Sequence, residues 1–173
     1  MSNITELAKN IDLVIFDIDG VLTTGALYFD NNGDEYKAFH SKDGHGIRML
    51  LECGVKAAVI TGRQSELVKH RMNDLGLTII YQGYRDKRPA FKLLLEETGL
   101  KPENIAYVGD DVVDLPVMTQ VGLAVAVGDA HEFVKKHAHI VTKTNGGLGA
   151  GREIIELILD AKGLLNDKLQ SYL

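Results

Sequence analysis

The sequence IDLVIFDIDG, residues 11–20, decides the fold because it joins a buried-strand pattern to a pair of carboxylates. Its apolar run, residues 13–16, has the length of a strand buried on both faces of a parallel sheet. Asp17 and Asp19 follow directly, and open α/β sheets bind ligands at the carboxyl ends of their strands. In an extended chain these side chains share a face, so their charges require a cation or a retained proton. The same letters also fit a strand that ends in an Asp-Gly turn.

Outward from this stretch, apolar runs alternate with amphipathic segments, which predicts βα units and a parallel sheet. We expect further strands at residues 56–61, 78–81, 105–108, 123–127 and 140–141. We expect helices at residues 43–53, 65–75, 89–98, 115–121, 131–136 and 152–162, followed by a tail at about 163–173. The predicted fold is α/β: a three-layer, doubly wound (Rossmann-like), mostly parallel sheet in a single domain, residues 1–173.

One departure from this alternation follows the first strand. Residues 26–29 and 35–39 predict two short strands around DNNGD, residues 30–34, because Asn-Gly between apolar runs favours a hairpin. This β-hairpin insertion, at about residues 25–40, is too small to form a cap domain. An isolated hairpin is only marginally stable in water, so we expect it to pack on another surface, including that of a second subunit.

Composition argues against several classes of protein. The chain has 173 residues, 45% of them hydrophobic and 25% charged, which suits one globular core. Its net charge of −5 argues against a general nucleic-acid binder. A single cysteine, Cys53, excludes an intrachain disulfide, and we recognise no signal peptide, so we expect a cytoplasmic protein without a membrane span. We interpret His137 and His139 as surface residues, because no third nitrogen or sulfur ligand is evident nearby.

Residues capable of chemistry collect at four points: Asp17 with Asp19, Thr61 with Gly62, Lys87 with Arg88, and GDDVVD at residues 109–114. Carboxylates from two strands that meet at one sheet edge would repel each other unless a hard cation joined them. Ligands that are all oxygen favour Mg2+ over zinc. A hydroxyl, a helix N-terminus and a lysine beside that cation would bind a phosphate group.

These groups together predict a Mg2+-dependent phosphatase. A carboxylate beside Mg2+ and a phosphate group can attack phosphorus and form an aspartyl phosphate, while the cation offsets the repulsion between the two anions. A second carboxyl two residues away can protonate the leaving alcohol and then accept a proton from the attacking water. Thr61 and Lys87 would hold the phosphoryl oxygens throughout.

Four ordered motifs resemble those of the haloacid dehalogenase superfamily of phosphotransferases: DIDGV at 17–21, ITGR at 60–63, Lys87, and GDDVVD at 109–114. The resemblance implies that Asp17 is the nucleophile and Asp19 the general acid and base, with Thr61 and Lys87 on the phosphate.

The same resemblance implies a set of metal ligands. Mg2+ would be held by Asp17, the backbone carbonyl of Asp19, and Asp110, with Asp111 and Asp114 just outside these direct ligands. Many relatives have proline directly after the lysine of the third motif. Here Arg88 intervenes, and we assign the phosphate contact to Lys87 rather than to Arg88.

Longer stretches resemble one capless subfamily, the phosphatases of 3-deoxy-D-manno-octulosonate 8-phosphate: KAFHSKDGHGIRML (37–50), ITGRQSELVKHR (60–71), ENIAYVGDDVVDLPVM (103–118) and GGLGAGRE (146–153). This resemblance covers almost the whole chain. It implies release of phosphate from an eight-carbon sugar acid in lipopolysaccharide biosynthesis, by a homotetramer with sites at its subunit interfaces. It implies substrate contacts at Asp19, His40, Ser41, Lys42, Asp43, Gly44, Arg48, Arg63, Arg71 and Lys87.

Other interpretations stay open at this stage. Arg48, Arg63 and Arg71 could bind the carboxylate of the substrate, whereas from the residues alone Arg48 and Arg71 fit solvated helix faces. Phosphatases of nine-carbon, sialic-acid-type 9-phosphates share this scaffold, although they tend to have glutamate where this chain has Arg63. A non-catalytic binding module is a third hypothesis. The glycine-rich loop TNGGLGAG, residues 144–151, lacks a Walker ending, and we expect it to be mobile and to let the tail reach a neighbouring site.

Overall fold

A computed structural model describes residues 2–173, and the side chains of residues 4–173. The described strands are β1 (Leu13–Phe16), β2 (Tyr28–Phe29), β3 (Glu35–Tyr36), β4 (Lys56–Ile60), β5 (Ile79–Tyr81), β6 (Ile105–Gly109), β7 (Leu123–Ala126) and β8 (Ile140–Val141). The described helices are α1 (Ser2–Lys9), α2 (Ser41–Glu52), α3 (Glu66–Leu75), α4 (Arg88–Thr98), α5 (Leu115–Met118), α6 (Glu132–Lys135), α7 (Ala150–Ala161) and α8 (Leu165–Gln170).

Six of these strands form one parallel sheet in the order β5-β4-β1-β6-β7-β8. The chain runs outward from β1 through β4 to β5, then returns to β6 on the other side of β1 and continues to β8. The sheet therefore changes winding direction between β1 and β6, and the carboxyl ends of these two strands flank the crevice where such folds bind ligands.

The fold class predicted from the sequence is confirmed. Every residue of β1, β6 and β7 is buried, which explains why their sequences are continuous apolar runs rather than alternating ones. Helix α2 packs against α7 and α3, and α1 packs against α7, while α4 and α5 form a separate contact. These two separate groups of helices flank the sheet, which gives the three layers.

The structure differs from the sequence prediction at both ends of the chain. Helix α1 was not predicted, although Ile4, Leu7, Ala8 and Ile11 have the helical spacing that could have indicated it. Its Ala8 is fully buried in the core. Part of the expected tail forms helix α8, which packs against α7.

The hairpin insertion is present but shorter than predicted. Strands β2 and β3 are two residues each and pair antiparallel. The carboxylate of Asp30 organises the turn, because its Oδ1 accepts hydrogen bonds from the backbone N–H groups of Asn32 at 2.8 Å and Asp34 at 2.9 Å. Within residues 2–173, none of the helices combines the length and the apolar character needed to cross a bilayer.

Candidate active site

The first functional carboxylate is fixed by the end of the central strand. Asp17 follows β1, and its backbone N–H donates to the carbonyl of Val108 at 3.1 Å. The residue is buried, and its Oδ1 accepts a hydrogen bond from the N–H of Ile18 at 2.7 Å. Gly20 then turns the chain with φ +90°, and a Cβ at this position would collide with the carboxylate of Asp110. The glycine of DIDG therefore permits the close approach of the two strand ends.

A buried lysine links two of the carboxylates. The Nζ of Lys87, 1% exposed, lies 2.9 Å from Asp17 Oδ2 and 2.6 Å from Asp114 Oδ1. The hydroxyl of Tyr107 also donates to Asp114 Oδ1, at 2.7 Å. Burial alone would lower the pKa of Lys87, but the charges of Asp17 and Asp114 outweigh it and hold that pKa above its usual value. The lysine therefore stays a cation in the interior.

Asp114 positions Lys87 and the loop that follows β6. Its Oδ1 serves Lys87 and Tyr107, and its Oδ2 accepts hydrogen bonds from the N–H groups of Asp110 at 2.9 Å and Asp111 at 3.2 Å. Both oxygens are thus occupied by protein donors. The carboxylate holds the lysine on one side and shapes the loop after β6 on the other.

Asp17, Asp110 and Asp114 each offer a carboxylate oxygen, and these three oxygens lie within 4.8 Å of one another. Each oxygen of Asp114 meets two protein donors, whereas each oxygen of Asp17 meets one, so Asp17 and Asp110 are the members of this group that keep capacity to bind a cation. Burial, followed by the charges of Asp114 and Asp17, raises the pKa of Asp110 to about 8. Burial likewise raises the pKa of Asp17 to about 6, with a further contribution from Asp114. Crowded carboxylates with raised pKa values fit a hard divalent cation, which would replace the retained protons.

The second aspartate of the first motif is held by the hairpin, a feature that the sequence reasoning missed. Lys37, whose side chain is 2% exposed, forms ion pairs with Asp19 and, at 3.3 Å, with Glu35. Arg63 donates from Nη2 to Glu35 Oε1 at 2.7 Å, and its Nε lies 3.8 Å from Asp19 Oδ2. No sequence signal distinguished Lys37 and Glu35 from the solvated charges that are common in hairpins.

The structure brings together most of the predicted catalytic and metal-binding residues. One open pocket of about 320 Å3 at the carboxyl ends of the strands is lined by Asp17, Asp19, Thr61, Gly62, Arg63, Arg85, Lys87, Asp110, Asp111 and Val113. Arg88 is not among these residues, because its guanidinium is engaged by Asp86 in two hydrogen bonds of 2.9 Å. The choice of Lys87 over Arg88 as the phosphate ligand is therefore supported by position.

The other predicted substrate contacts lie elsewhere in the same chain. A second pocket of about 320 Å3 is lined by Ser41, Gly44, His45, Arg48, Arg71, Asp74 and Leu75. It shares no lining residue with the catalytic pocket. Lys42 is exposed and lines neither pocket. One chain therefore divides the predicted site between two places, which the sequence alone did not reveal.

Asp43 is buried beside a third, much smaller space. Its Oδ1 accepts the N–H of Arg152 at 2.7 Å, at the start of α7, and burial raises the pKa of its carboxyl. Its Oδ2, His40 Nδ1 and Arg71 Nε have no hydrogen-bond partner among the described residues. A cavity of about 10 Å3, lined by all three residues, has room for one water molecule. In this chain Asp43 thus stabilises the start of α7.

The glycine-rich loop, residues 144–151, contacts the first motif, residues 17–21. Gly147 donates its N–H to the carbonyl of Val21 at 2.8 Å, and Gly146 donates to Asp129 Oδ1 at 2.8 Å. A Cβ on Gly146 would collide with the carbonyl of Gly20. The glycines therefore serve close backbone packing behind the first motif, a role that differs from the free, mobile loop expected from composition.

Comparisons with known proteins agree with this geometry. The haloacid dehalogenase-like hydrolase family model matches residues 79–154. The chain is 51% identical over 160 residues to 3-deoxy-D-manno-octulosonate 8-phosphate phosphatase KdsC of Escherichia coli (strain K12), covering 92% of this chain and 85% of the relative. The corresponding Yersinia pestis protein is 48% identical over 168 residues, with 97% and 88% covered.

Solved structures give the same result. The 3-deoxy-D-manno-octulosonate 8-phosphate phosphatase from Yersinia pestis superposes with a TM-score of 0.94 at 48% identity, covering 95% of this chain and 89% of that one. The Moraxella catarrhalis enzyme, in complex with a magnesium ion, a phosphate ion and a KDO molecule, superposes with a TM-score of 0.97 at 35% identity, covering 100% and 99%.

A doubly wound sheet with a lysine buried between two aspartates at the end of its central strand defines a haloacid dehalogenase-like hydrolase. Within this class, the chain is about 50% identical, over most of its length, to two 3-deoxy-D-manno-octulosonate 8-phosphate phosphatases. The chain belongs to the 3-deoxy-D-manno-octulosonate 8-phosphate phosphatase family, and the resemblance found in its motifs is confirmed.

Proposed function

We propose that this protein hydrolyses 3-deoxy-D-manno-octulosonate 8-phosphate to the free sugar acid and phosphate, as a step in lipopolysaccharide biosynthesis. The observation that carries the proposal is the position of Lys87, buried between Asp17 and Asp114 and beside Asp110, in a pocket open to solvent. This arrangement provides a nucleophile, a fixed cation and a cluster of oxygen ligands at one point. The names of the relatives supply the substrate.

Mg2+ is the proposed cofactor, in keeping with the magnesium ion bound to the Moraxella catarrhalis relative. Asp17, the backbone carbonyl of Asp19 and Asp110 would hold it, with Asp111 and Asp114 outside these direct ligands. The ion would supply positive charge that offsets repulsion between the nucleophile and the phosphoryl group.

The chain's own residues account for the two chemical steps. A carboxylate oxygen of Asp17 attacks phosphorus, and the bond from phosphorus to the sugar oxygen breaks. Asp19 donates a proton to the departing alkoxide and later accepts one from the water that attacks the aspartyl phosphate. Phosphate then leaves and Asp17 is regenerated. Lys87 and the hydroxyl of Thr61 hold the phosphoryl oxygens in both steps.

Phosphate release from the eight-carbon substrate, with and without Mg2+, tests the proposal. We expect turnover only with a divalent cation, and a higher kcat/KM for the eight-carbon sugar-acid phosphate than for a nine-carbon 9-phosphate. Preference for the nine-carbon ester would assign the alternative substrate. Absence of phosphatase activity on both, with metal present, would favour the non-catalytic module.

The raised pKa values of the acidic cluster predict how pH changes the stability of the metal-free protein. In the folded state burial raises the pKa of Asp17 to about 6 and that of Asp110 to about 8, above the usual value for aspartate, so the fold retains protons that the unfolded chain has lost. Stability contributed by these protons is fully present below the unfolded value and is lost as pH rises through the folded values.

We therefore expect the melting temperature in EDTA to fall between about pH 4 and pH 8, and Mg2+ to restore it more strongly at pH 8.5 than at pH 5.5. Thermal melts at both pH values, with and without Mg2+, measure this. Asp110→Asn is the matched variant: it should flatten the EDTA profile and reduce the Mg2+ effect. An Mg2+ effect that is equal at both pH values would contradict the prediction.

We further propose a homotetramer in which neighbouring subunits complete each other's sites. In support, Ser41, Gly44, Arg48 and Arg71 line a pocket separate from the catalytic one. The hairpin also carries an exposed apolar patch, and exposed patches of this kind often mark interaction sites. Its residues, each 48–57% exposed, are Leu27, Tyr28, Phe29 and Tyr36. Docking of one subunit's Arg48 pocket against the next subunit's catalytic pocket would cover this surface and unite the two sets of residues.

Hybrid oligomers test this shared site. Asp17→Asn and Arg71→Met are each expected to be inactive alone. When equal amounts are mixed and reassembled, about a quarter of shared sites would combine an intact Asp17 with an intact Arg71 from a neighbour, and activity should recover to that extent. Formation of mixed oligomers, verified with two affinity tags, without recovered activity would contradict the shared site.

Two further features stay predictions of the sequence. A single domain over residues 1–173 is supported by the continuous hydrophobic core of the described residues, and one cooperative unfolding transition would test it. A cytoplasmic location is testable by cell fractionation.

A further inference from the structure

Three cations have side chains that line the catalytic pocket, and two of them are neutralised by carboxylates. Lys87 is paired with Asp17 and Asp114, and Arg63 with Glu35. Arg85 forms no ion pair and donates no side-chain hydrogen bond to any of residues 2–173. With Lys87 assigned to the phosphoryl group, the guanidinium of Arg85 is the cation of this pocket that no carboxylate engages and that can bind a second anionic group of the ligand.

The nearest acid in the sequence does not neutralise Arg85. Asp86 accepts hydrogen bonds from Arg88 through Oδ1 to Nε and through Oδ2 to Nη2, both at 2.9 Å. Its Oδ1 also accepts the N–H of Arg88 at 3.1 Å. These bonds turn the Asp86 carboxylate toward the start of α4. Asp86 therefore neutralises Arg88, and the positive charge of Arg85 stays unpaired.

The backbone around Arg85 is held against the second motif. Tyr84 donates its N–H to the carbonyl of Thr61 at 3.1 Å, and Gly83 donates to the carbonyl of Arg63 at 3.0 Å. A Cβ on Gly62 would lie 3.7 Å from the Cα of Arg85. The loop that carries Arg85 is therefore held against the loop that carries Thr61. These contacts fix the position of the Arg85 Cα.

Burial separates the base of the pocket from its rim. Asp17, Thr61 and Lys87 are buried and form the base, where the phosphoryl group would bind. Arg85 is exposed and lies at the rim. A substrate whose phosphate reaches the base presents the rest of its sugar acid, including the carboxylate, to the rim and beyond.

We propose that Arg85 is a specificity-determining residue that binds the carboxylate of the sugar-acid substrate, an inference that rests on the proposed function. A guanidinium presents a planar fork of N–H donors that matches a carboxylate in two parallel hydrogen bonds. Arg63 reaches the same rim but already donates to Glu35, so Arg85 has the free donors. Arg85 would thus select sugar-acid phosphates over phosphate esters that lack a carboxylate.

Steady-state kinetics of Arg85→Met on two substrates test this assignment. The substrates are 3-deoxy-D-manno-octulosonate 8-phosphate and p-nitrophenyl phosphate, which has no carboxylate. We expect kcat/KM for the sugar-acid phosphate to fall about tenfold or more, mainly through KM, because a charge-assisted contact to the bound substrate is lost. The value for p-nitrophenyl phosphate should stay within about twofold.

Two variants control the experiment. Lys92→Met removes an exposed positive charge on α4, outside the pocket, and leaves Asp86 bound to Arg88, so kcat/KM should stay unchanged for both substrates. Arg85→Lys keeps the charge without the fork and should recover part of the loss. Because Arg85 is exposed and unpaired, Arg85→Met should keep the wild-type melting temperature.

The outcomes are distinguishable. If the wild-type protein hydrolyses the sugar-acid phosphate and Arg85→Met does so equally well, or loses both substrates in the same proportion, the assignment of Arg85 is wrong while the proposed function stands. If the wild-type protein hydrolyses p-nitrophenyl phosphate but not the sugar-acid phosphate, the proposed function is wrong and the assignment falls with it.

Discussion

Asp17→Asn is expected to abolish turnover while the protein stays folded. The amide cannot form the acyl phosphate, so no later step can proceed, and loss of a nucleophile of this kind costs more than about 10^4-fold in kcat. The fold should tolerate the change because asparagine has the same shape and its one amide oxygen can still accept the N–H of Ile18, while Lys87 keeps its ion pair with Asp114. Phosphate release with Mg2+ and a thermal melt measure the two parts of the prediction.

Asp111→Asn is the matched control for this experiment. Asp111 lines the same pocket, but its Oδ1 accepts the N–H of Val112 at 2.7 Å, a capping bond that asparagine can also accept. We expect this variant to lose less than about tenfold. If Asp17→Asn kept more than about one per cent of the activity, Asp17 would not be the nucleophile, since that loss is too small for removal of a covalent catalyst.

Lys87→Met is expected to impair both stability and activity. The ammonium lies within 3 Å of two carboxylates that are themselves buried, Asp17 and Asp114. Removing the cation leaves like charges facing each other in the interior, and breaking a buried pair in this way costs about 3–5 kcal/mol. Urea unfolding in EDTA measures the free energy of unfolding. Activity should also fall steeply, because the phosphoryl group loses its fixed cation.

Two comparisons separate this explanation from a general effect of losing a surface charge. Lys92→Met removes an exposed lysine whose Nζ lies 3.9 Å from Glu96 Oε1. It should change the free energy of unfolding by less than about 0.5 kcal/mol. Adding Asp114→Asn to Lys87→Met removes one of the facing charges, so the double variant should be more stable than Lys87→Met alone. If Lys87→Met unfolds at the same urea concentration as the wild-type protein, the buried cation does not stabilise the site.

The fold and the catalytic cluster were predictable because local sequence determines them. The buried strand at residues 13–16 and the carboxylates that follow it lie within one short segment. Parallel strands deliver such segments to one sheet edge whatever the lengths of the connections. For the same reason Asp110, almost a hundred residues further on, could be assigned to the same place from its own strand end.

The contacts of the hairpin were not predictable in this way. Lys37 and Glu35 lie on a short insertion whose position on the domain depends on tertiary packing, not on strand order. Arg48 and Arg71 were assigned to the substrate by resemblance alone, and only the structure reveals that they line a different pocket of the chain from Asp17. The residues of a single sequence, taken without relatives, do not indicate that these two sets of side chains line separate pockets.

The most direct test of the mechanism is chemical trapping of the phosphorylated enzyme. The wild-type protein is mixed with Mg2+ and 3-deoxy-D-manno-octulosonate 8-phosphate, quenched in acid within the first turnover, and reduced with borohydride, which converts an aspartyl phosphate to homoserine. We predict that peptide mass spectrometry finds homoserine at position 17, and none in Asp17→Asn. Homoserine at another position, or turnover with no residue reduced in the first-turnover sample, would contradict the account.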